Sequence, residues 1–396
     1  MSADRAYFDW NASAPLRPEA REAMAAAMDV TGNPSSVHAE GRRARDLVET
    51  AREQVAALVG ASPGEVVFTS GATEANAWAL GGWNTIFLSG IEHDSVRAPA
   101  GISGARLIDI PAGPDGRARI DALAQHVPDR QTYGRGLVTL QMANNETGVL
   151  QPVADAVSFA REHGLAVHTD ATQAAGRVPI DFAALGVDLL SISSHKLGGP
   201  KGVGALVIRD GATIAPLITG GGQERRRRAG TENVAAIAGF GAAAAAALKD
   251  LERIDDLAAR RDVIERGLTE LAPECVIIGQ SSPRLANTVC IAWPGKSAET
   301  LVIKLDLAGV AVSAGSACSS GKVGSSLVLE AMGLAADVAK SAIRVSLGLT
   351  TSARDIQRLL AAWLAVRGPR PVDADRGNTG RPDTIRTRFE RIPEGV

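Results

Sequence analysis

A lysine follows directly after a short apolar run of the kind that forms a buried strand. The segment SISSHK at residues 191–196 ends in small hydroxyls and Lys196, and a glycine-rich turn follows at 197–204. An amine at such a junction can point into a cleft, lose its charge by desolvation and form a Schiff base with an aldehyde. For this motif taken alone, a solvated loop lysine is the alternative interpretation.

Two upstream motifs could complete a site around that amine. Asp170, in HTDATQ at 168–173, follows an apolar run and could hold a protonated pyridine nitrogen, which keeps such a ring an electron sink. The segment TSGATEAN at 69–76 places small residues at a helix start, where free backbone N–H groups can bind a phosphate. Ordinary helix capping is the alternative interpretation of both motifs.

A reactive thiol is the third chemical feature. Cys318 lies in SAGSACSSGK at 313–322, which contains no core side chain and is predicted to be a mobile loop. A thiol exposed beside small polar residues and Lys322 can ionise and attack an electrophile. Cys275 and Cys290 lie within apolar runs and are predicted to be inert core residues.

Alternating helical and strand-like segments must position these groups. Apolar periodicity predicts helices at 18–28 and 41–59. Short apolar runs predict strands at 66–68, 85–88, 137–140, 165–167, 189–192 and 205–208. This alternation is typical of an α/β chain in which helices cover both faces of a mostly parallel sheet.

The character of the sequence changes near residue 250. A charged helix at 248–271 leads into predicted strands at 287–293 and 343–347 and predicted helices at 298–308 and 352–366. We therefore predict a large domain at 15–250 and a smaller α+β domain formed by 1–14 and 251–367, which carries the cysteine loop. The tail at 368–396 is rich in Arg, Pro, Gly and Asp, and is predicted to be disordered.

Composition argues against several classes of protein. The 396 residues are 45% hydrophobic, which is ample for a large core, and a net charge of -2 argues against a nucleic-acid surface. A signal-like apolar start and a stretch of about 18 uncharged apolar residues are both missing, so secretion and a membrane span are not expected. Three cysteines without a CxxC pair predict a reducing, cytoplasmic setting, and six scattered histidines predict no metal site.

The motifs GATE at 71–74, EH at 92–93, DATQ at 170–173 and SSHK at 193–196 are specific as an ordered set. Together they resemble the fold-type I pyridoxal-phosphate enzymes, and more narrowly the NifS/IscS cysteine desulfurases among the class V aminotransferase-like proteins. The resemblance runs from about Tyr7 to Val366. It implies a fold-type I pyridoxal-phosphate-dependent transferase that acts as a homodimer.

The resemblance also implies a set of residues that bind the cofactor. Lys196 would bind pyridoxal 5'-phosphate covalently, and Asp170 would pair with its pyridine nitrogen. His93 would stack on the ring and take part in catalysis, and Gln173 would donate to the phenolate oxygen. The cofactor phosphate would be bound by Ala72, Thr73, Ser193 and His195, with Thr231 reaching the phosphate of the other subunit.

The implied substrate is L-cysteine, which would be converted to L-alanine. Asn145 and Arg344 would hold its carboxylate, and the guanidinium fork suits that group. Lys196 would remove the α-proton, and the Cys318 thiolate would attack the substrate sulfur. The resulting persulfide would pass to an acceptor, such as an iron–sulfur scaffold protein.

Three alternatives to a cysteine desulfurase stay open at this point. A related lyase acting on selenocysteine or cysteine sulfinate would need less of the cysteine, and a class V aminotransferase would not need it. The third is a non-catalytic dimeric partner, which the presence of Lys196, Asp170 and Cys318 disfavours. The arginine run at 225–228 is denser than the family pattern, and the tail differs from the family ending that helps to dock a scaffold.

Overall fold

The structure is a computed structural model that describes residues 5–125, 134–315 and 325–368. Within these residues the strands are β1 (Ala6–Tyr7), β2 (Val66–Thr69), β3 (Thr85–Ser89), β4 (Arg106–Ile110), β5 (Gly136–Thr139), β6 (Ala166–Asp170), β7 (Leu189–Ser193), β8 (Gly204–Ile208), β9 (Val276–Ile277), β10 (Thr288–Ala292), β11 (Val310–Ala311), β12 (Ser313–Ala314) and β13 (Ala342–Ser346). The helices are α1 (Pro18–Met28), α2 (Ala39–Val59), α3 (Ala72–Ala79), α4 (Asp94–Ile102), α5 (Val153–His163), α6 (Phe182–Leu185), α7 (Val234–Asp250), α8 (Ile254–Leu271), α9 (Ala298–Leu307), α10 (Leu327–Ala331), α11 (Ala336–Ser341) and α12 (Ala353–Arg367).

Seven strands form a central sheet in the order β2-β8-β7-β6-β5-β3-β4. Neighbours from β7 to β4 are parallel, whereas β8 is antiparallel to both β2 and β7. Because β8 is reversed relative to both neighbours, β2 runs in the same direction as the parallel strands. The carboxyl ends of β2, β6 and β7 therefore meet at one edge, where open α/β sheets bind ligands. The predicted mostly parallel sheet is confirmed.

Both faces of this sheet are buried, since successive side chains of a strand point to opposite sides. Phe68, Val138 and Ile192 belong to one apolar cluster, which includes residues of α2 and α7. Val67 and Leu137 directly precede Phe68 and Val138 in their strands and therefore point to the other face. They belong to a second cluster with residues of α3 and α4. The near-continuous apolar runs in the sequence are thus explained by helices covering both faces.

A smaller antiparallel sheet has the order β12-β13-β10-β9. Its residues Val289, Ile291, Ile343 and Val345 pack in a separate cluster with residues of α8, α9 and α12. The alternation in β13 turns Arg344 away from this cluster, and Arg344 pairs in register with Cys290. β1 joins β11 in a two-stranded parallel pair. The division into two domains at the expected boundaries stays a prediction.

Most predicted elements are found within one or two residues of the expected limits, but β6 continues three residues beyond the run expected at 165–167. β4 was not predicted, although the buried Ile108 and Ile110 alternate with the exposed Leu107 and Asp109 in the way of an edge strand. The helix expected at 248–271 is instead the end of α7, a 3-10 turn at Leu251–Arg253 and α8, because the alanine-rich run of α7 continues as helix to Asp250. The loop around Cys318 and the tail beyond 368 lie outside the described residues.

The helical stretch Val234–Leu271 is the candidate for a membrane span in the described ranges. By length and composition it could cross a bilayer, but half of its most apolar window is buried inside the protein. Phe240 and Ala244 of α7 belong to the apolar cluster under the central sheet. The apolar character of this stretch is therefore accounted for by core packing.

Candidate active site

A cavity of about 570 Å³ opens at the carboxyl edge of the central sheet. It is lined by ten of the predicted site residues: Ala72, Thr73, His93, Asn145, Asp170, Gln173, Ser193, His195, Lys196 and Arg344. Its volume is in the range of small-molecule and cofactor sites. Thr231 is exposed and does not line this cavity, and Cys318 lies outside the described residues.

Lys196 ends a 3-10 turn that begins directly after β7. Its Nζ donates to the carbonyl oxygen of Asn11 and, at 3.0 Å, to that of Ala12. Its own carbonyl oxygen accepts a 3.3 Å hydrogen bond from Arg177. The amine is therefore fixed at the cavity wall, between the end of β7 and the N-terminal segment.

Asp170 is the last residue of β6, and its carboxylate is held by two donors. Oδ2 accepts from Nδ2 of Asn76 at 2.8 Å, and Oδ1 accepts from the backbone N–H of Thr172 at 2.9 Å. Both donors are neutral, so the negative charge of Asp170 can still attract a cationic ligand group. This arrangement suits a protonated ring nitrogen.

His168 lies beneath Asp170 in the same strand and is fully buried. One ring nitrogen is 2.8 Å from the Thr139 hydroxyl, and the other is 3.0 Å from the Ser191 hydroxyl. Burial lowers the pKa of His168 to about 4, although the nearby Asp170 carboxylate acts in the opposite direction. The imidazole is thus neutral at pH 7 and leaves the carboxylate above it without a charged histidine partner.

The N-terminus of α3 forms the end of the cavity where small residues collect. Gly71 is the N-cap residue and contributes no side-chain cap, so the first backbone N–H groups of the helix keep their hydrogen-bonding capacity. A Cβ at position 204 would come within 2.7 Å of the Gly71 carbonyl carbon, so only glycine allows this close approach. Ser193 and His195 line the same cavity as this helix start. Free N–H groups and the helix dipole favour an anion here.

His195 is neutral in this surrounding. Burial lowers its pKa to about 4, and the positive charges of Lys196, Lys201 and Arg177 lower it further. Its Nδ1 lies 3.3 Å from the hydroxyl of Ser13. A neutral imidazole can donate one hydrogen bond to an anion without adding another charge to this cationic end of the cavity.

Arg344 faces the cavity from the smaller sheet. Its Nη2 pairs with Asp9 Oδ1 at 2.8 Å, and its Nη1 donates to the carbonyl oxygen of Asn145 at 2.9 Å. Its Nε and the side-chain oxygen of Asn145 are buried and lack a hydrogen-bond partner among the described residues. A buried donor without a partner is costly, and a ligand carboxylate would satisfy the guanidinium.

Asn11 joins the two sheets at the cavity and was not singled out from the sequence. Its carbonyl oxygen accepts from Lys196, and its Nδ2 donates to the hydroxyl of Thr288 at 2.9 Å and to the Asn145 carbonyl at 3.3 Å. Its Oδ1 accepts from Asn287 at 3.0 Å. The sequence signal was slight, because Asn11 is one polar residue in the segment DWNAS after a short apolar run.

Arg177 is a second residue that sequence reasoning missed. It is buried, and this burial, followed by the charge of Arg344, lowers its pKa to about 9. Its guanidinium donates to the side-chain oxygen of Gln173 and to the carbonyl oxygen of Lys196. Because a guanidinium can only donate, it orients the Gln173 amide so that Nε2 faces away, where it donates to Asn11 at 3.0 Å.

The arginine run at 225–228 has one defined partner near the site. Arg228 pairs with Glu74 of α3 at 3.0 Å. Just before the run, Glu224 forms a buried ion pair with Arg52 at 2.7 Å and accepts from the backbone of Phe68. Glu224 and the first two arginines have left-handed φ values of 44°, 56° and 63°, and this buried pair holds the strained turn in place.

The comparisons with known proteins agree with this geometry. Residues 6–359 match the family model of aminotransferase class-V. The cysteine desulfurase IscS of Dictyoglomus turgidum is 40% identical over 370 residues, which cover 89% of this chain and 92% of the relative. The chain belongs to the class-V cysteine desulfurases. The predicted family and activity are confirmed.

Two solved structures carry the same fold as this family member. The NifS-like protein from Rickettsia africae has a TM-score of 0.84 and 34% identity, over 92% of this chain and 99% of that one. SspA in complex with cysteine has a TM-score of 0.75 and 30% identity, over 86% of this chain and 98% of that one. The fold-type I prediction is thereby confirmed as well.

Membership of this family implies pyridoxal phosphate, and the cavity of this desulfurase fits that group. The amine of Lys196 suits an aldehyde, and the anchored carboxylate of Asp170 suits a pyridine nitrogen. The uncapped N-terminus of α3 suits a phosphate. The unpartnered Nε of Arg344 is left for a further anionic group. The residues present therefore suit both the cofactor and a carboxylate substrate.

Proposed function

We propose that this chain binds pyridoxal 5'-phosphate and converts L-cysteine to L-alanine, with the sulfur passing through Cys318. The persulfide supplies an acceptor protein for iron–sulfur cluster assembly or another thiolation. The observation that carries the proposal is a single cavity that collects Lys196, Asp170, His93 and Arg344. We further propose a reducing, cytoplasmic setting, which the free thiols of Cys275 and Cys290 support.

The cofactor would be held along the carboxyl edge of the central sheet. When bound, it supplies an aldehyde for condensation with amines and a ring that accepts electrons from the substrate α-carbon. Lys196 holds the aldehyde, Asp170 holds the pyridine nitrogen, and His93 stacks on the ring. Gln173, oriented by Arg177, donates to the phenolate oxygen. The phosphate is bound by Ala72, Thr73, Ser193 and His195.

The substrate carboxylate would be bound by Arg344 and Asn145. The guanidinium is already fixed by Asp9 and by the Asn145 carbonyl, so little ordering is needed when the substrate arrives. Two backbone carbonyl oxygens, of Asn11 and Ala12, receive the Lys196 amine. This position suits a base that takes the α-proton and later returns a proton to carbon.

The Cys318 thiolate then attacks the substrate sulfur. A sulfur–sulfur bond forms as the carbon–sulfur bond breaks, and the electron pair of the broken bond stays with the carbon. That carbon takes a proton and is released as part of L-alanine. Cys318 retains the sulfur as a persulfide, which an acceptor thiol or a reductant removes.

A homodimer is part of this proposal. Thr231 is exposed and stands outside its own chain's cavity, so it is free to reach the phosphate in a second copy. The preceding Gly230 has a φ of 110°, a backbone conformation that a side chain would disfavour. Each site would then need residues of both subunits.

The test supplies L-cysteine as the sole substrate, with a thiol reductant, and measures alanine and sulfide together. We expect equal amounts of both products without any keto acid. The Cys318→Ala variant should still bind the cofactor and show a spectral change with L-cysteine. Its sulfide release should fall by about a hundredfold or more, since a methyl group cannot act as a nucleophile.

Two results would contradict the proposal. Alanine formation that requires a keto acid would identify an aminotransferase. Release of sulfide and alanine from Cys318→Ala at the wild-type rate would identify a lyase that eliminates without a cysteine. A Cys290→Ala variant is the matched control, because the Cys290 thiol is buried and burial raises its pKa.

A further inference from the structure

The carboxyl group of Glu146 is buried beside the site but does not line the cavity at the sheet edge. Glu146 follows Asn145 in the turn after β5 and is 6% exposed. Its Oε2 accepts a 2.6 Å hydrogen bond from the Ser326 hydroxyl. The Ser326 hydroxyl in turn accepts from the backbone N–H of Leu329 and caps α10. Glu146 is thereby joined to the start of that helix.

The same carboxyl oxygen also contacts the chain at Gly315. A Cβ added to Gly315 would lie 2.5 Å from Oε2 of Glu146, so glycine is what allows the contact. Gly315 follows β12, and Ser326 precedes α10, with Cys318 in the segment between them. One buried carboxyl group therefore contacts the chain on both sides of the segment that carries Cys318.

Glu146 is also connected to the substrate side of the site. A cavity of about 40 Å³, enough for one water molecule, is lined by Glu146 and Gly315 together with His93 and Asn145. His93 and Asn145 line the cavity at the carboxyl edge of the central sheet as well. The carboxyl group thus lies between the two ends of the Cys318 segment and the residues that face the substrate.

We propose that Glu146 is a positioning residue that fastens both ends of the Cys318 segment to the loop carrying Asn145. By holding both ends, Glu146 would fix where the Cys318 segment begins and ends relative to Arg344, which holds the substrate carboxylate. The thiol would thereby be kept within reach of the substrate sulfur. This inference rests on the proposed desulfurase function. It assigns Glu146 to delivery of the thiol and not to substrate binding.

The first test measures persulfide formation at Cys318 in a single turnover, by mass spectrometry of the quenched peptide. In the Glu146→Ala holoenzyme we expect this rate to fall by about tenfold to a hundredfold, since small displacements of a reacting group cost that much. The affinity for L-alanine, read from the visible spectrum, should stay within about twofold. Glu146→Gln, whose amide oxygen can still accept from Ser326, should restore most of the lost rate.

The second test disturbs the same contact from its other side. In Gly315→Ala the new methyl group displaces the carboxyl group, and persulfide formation should again slow while L-alanine affinity is kept. Combined with Glu146→Ala, the Gly315 change should add little, because the atom that it displaces is gone. This variant also serves if Glu146→Ala fails to fold.

Independent, multiplicative effects of the two changes would overturn the proposal. So would equal losses in Glu146→Gln and Glu146→Ala with weakened L-alanine binding, since the charge of Glu146 would then act on the substrate. Unchanged persulfide rates in both single variants would also overturn it. Failure of the proposed function is distinguishable, because the wild-type chain would then form no persulfide from L-cysteine.

Discussion

The cavity at the carboxyl edge of the central sheet has two walls that are built in different ways. The cofactor wall, comprising Ala72, Asp170 and Lys196, belongs to the central sheet, and each residue lies at or within three positions of a strand end. The substrate wall, comprising Asn145 and Arg344 with Asp9 as the ion-pair partner of Arg344, is assembled from three separate parts of the chain. Asp9 and Arg344 alone are 335 positions apart. Each residue of the cofactor wall is therefore marked by a strand end in its own local sequence, whereas the substrate wall depends on contacts between segments that lie far apart in the chain.

The walls also differ in how they treat ionisable groups. Beside the cofactor wall, burial lowers the pKa of His168 and His195 to about 4, so both are held neutral. Beside the substrate wall, burial raises the pKa of Glu146 to about 7 against the opposing effects of Ser326, Arg344 and His93. Both histidines gain a proton at low pH, and Glu146 loses its proton at high pH. Each of these changes places a charge in a buried position. The two walls should thus limit the stability of the site from opposite ends of the pH scale.

The largest effect should come from removing the amine of the cofactor wall. In Lys196→Ala we expect alanine formation from L-cysteine to fall by about a thousandfold or more, because both the covalent anchor and the base are lost. Steady-state assay of alanine is the measurement, with Lys249→Ala, a change at an exposed lysine of α7, as the control. Normal alanine release by Lys196→Ala would show that the base belongs to another residue.

A change at Glu146 should alter the pH dependence of stability. The folded pKa of about 7 lies above the ordinary 4.5, so the stability due to the neutral carboxyl is complete below pH 4.5 and is lost as the pH rises through 7. Relative to Glu146→Gln, wild-type stability should decline by about 3 kcal/mol over that range.

Denaturant unfolding of both proteins at pH 4.5, 6 and 8 measures this decline. The titratable and charged groups around Glu146 are the same in the two proteins, and among the described residues they are Glu92, His93, Asp94, Arg97, Cys290 and Arg344. Their own titration therefore largely cancels in the difference. Parallel pH curves for wild type and Glu146→Gln would mean that Glu146 is already ionised at low pH in the folded chain.

A smaller effect is expected from the substrate wall at Asp9. Asp9→Asn removes the charged partner of Arg344 but leaves the Asn145 carbonyl in place, so the guanidinium is held less firmly. We expect the KM for L-cysteine and the Kd for L-alanine to rise by about tenfold, with kcat changed by less than about twofold.

Ser313→Ala is the matched control for Asp9→Asn. It removes a 2.8 Å hydrogen bond to the same Asp9 oxygen and leaves the ion pair intact, so its effect on KM should be smaller. Tighter L-alanine binding in Asp9→Asn would show that Asp9 competes with the substrate carboxylate for Arg344, and the wall would then work by exchange of carboxylates.

The difference between the walls also explains what the sequence predicted. Strand ends followed by Asp170 or Lys196 leave a local pattern, and the apolar runs indicated the central sheet strand by strand. Arg344 was found only through the family resemblance, because a lone arginine in an apolar strand does not identify its partner. Asp9 and Asn11 were missed because their roles depend on contacts between distant segments, and Arg177 was missed because its burial beside Gln173 and Lys196 arises only in the folded chain. β4 was missed because the exposed Leu107 interrupts the alternation of apolar and polar residues in this short edge strand, which leaves a weak signal.

The N-terminal segment sets a time order for the assembly of the site during synthesis. β1 pairs with β11, and Asp9 and Asn11 contact β13, so their partners emerge from the ribosome more than 300 residues later. At about 5–20 residues per second, this wait is on the order of 15 to 70 seconds. The cofactor wall can form earlier, since its strands are complete by Ile208. The strands that carry Ala72, Asp170 and Lys196 can therefore pair before Asp9 and Asn11 meet β13, so the substrate side of the site forms last, after β13 has emerged.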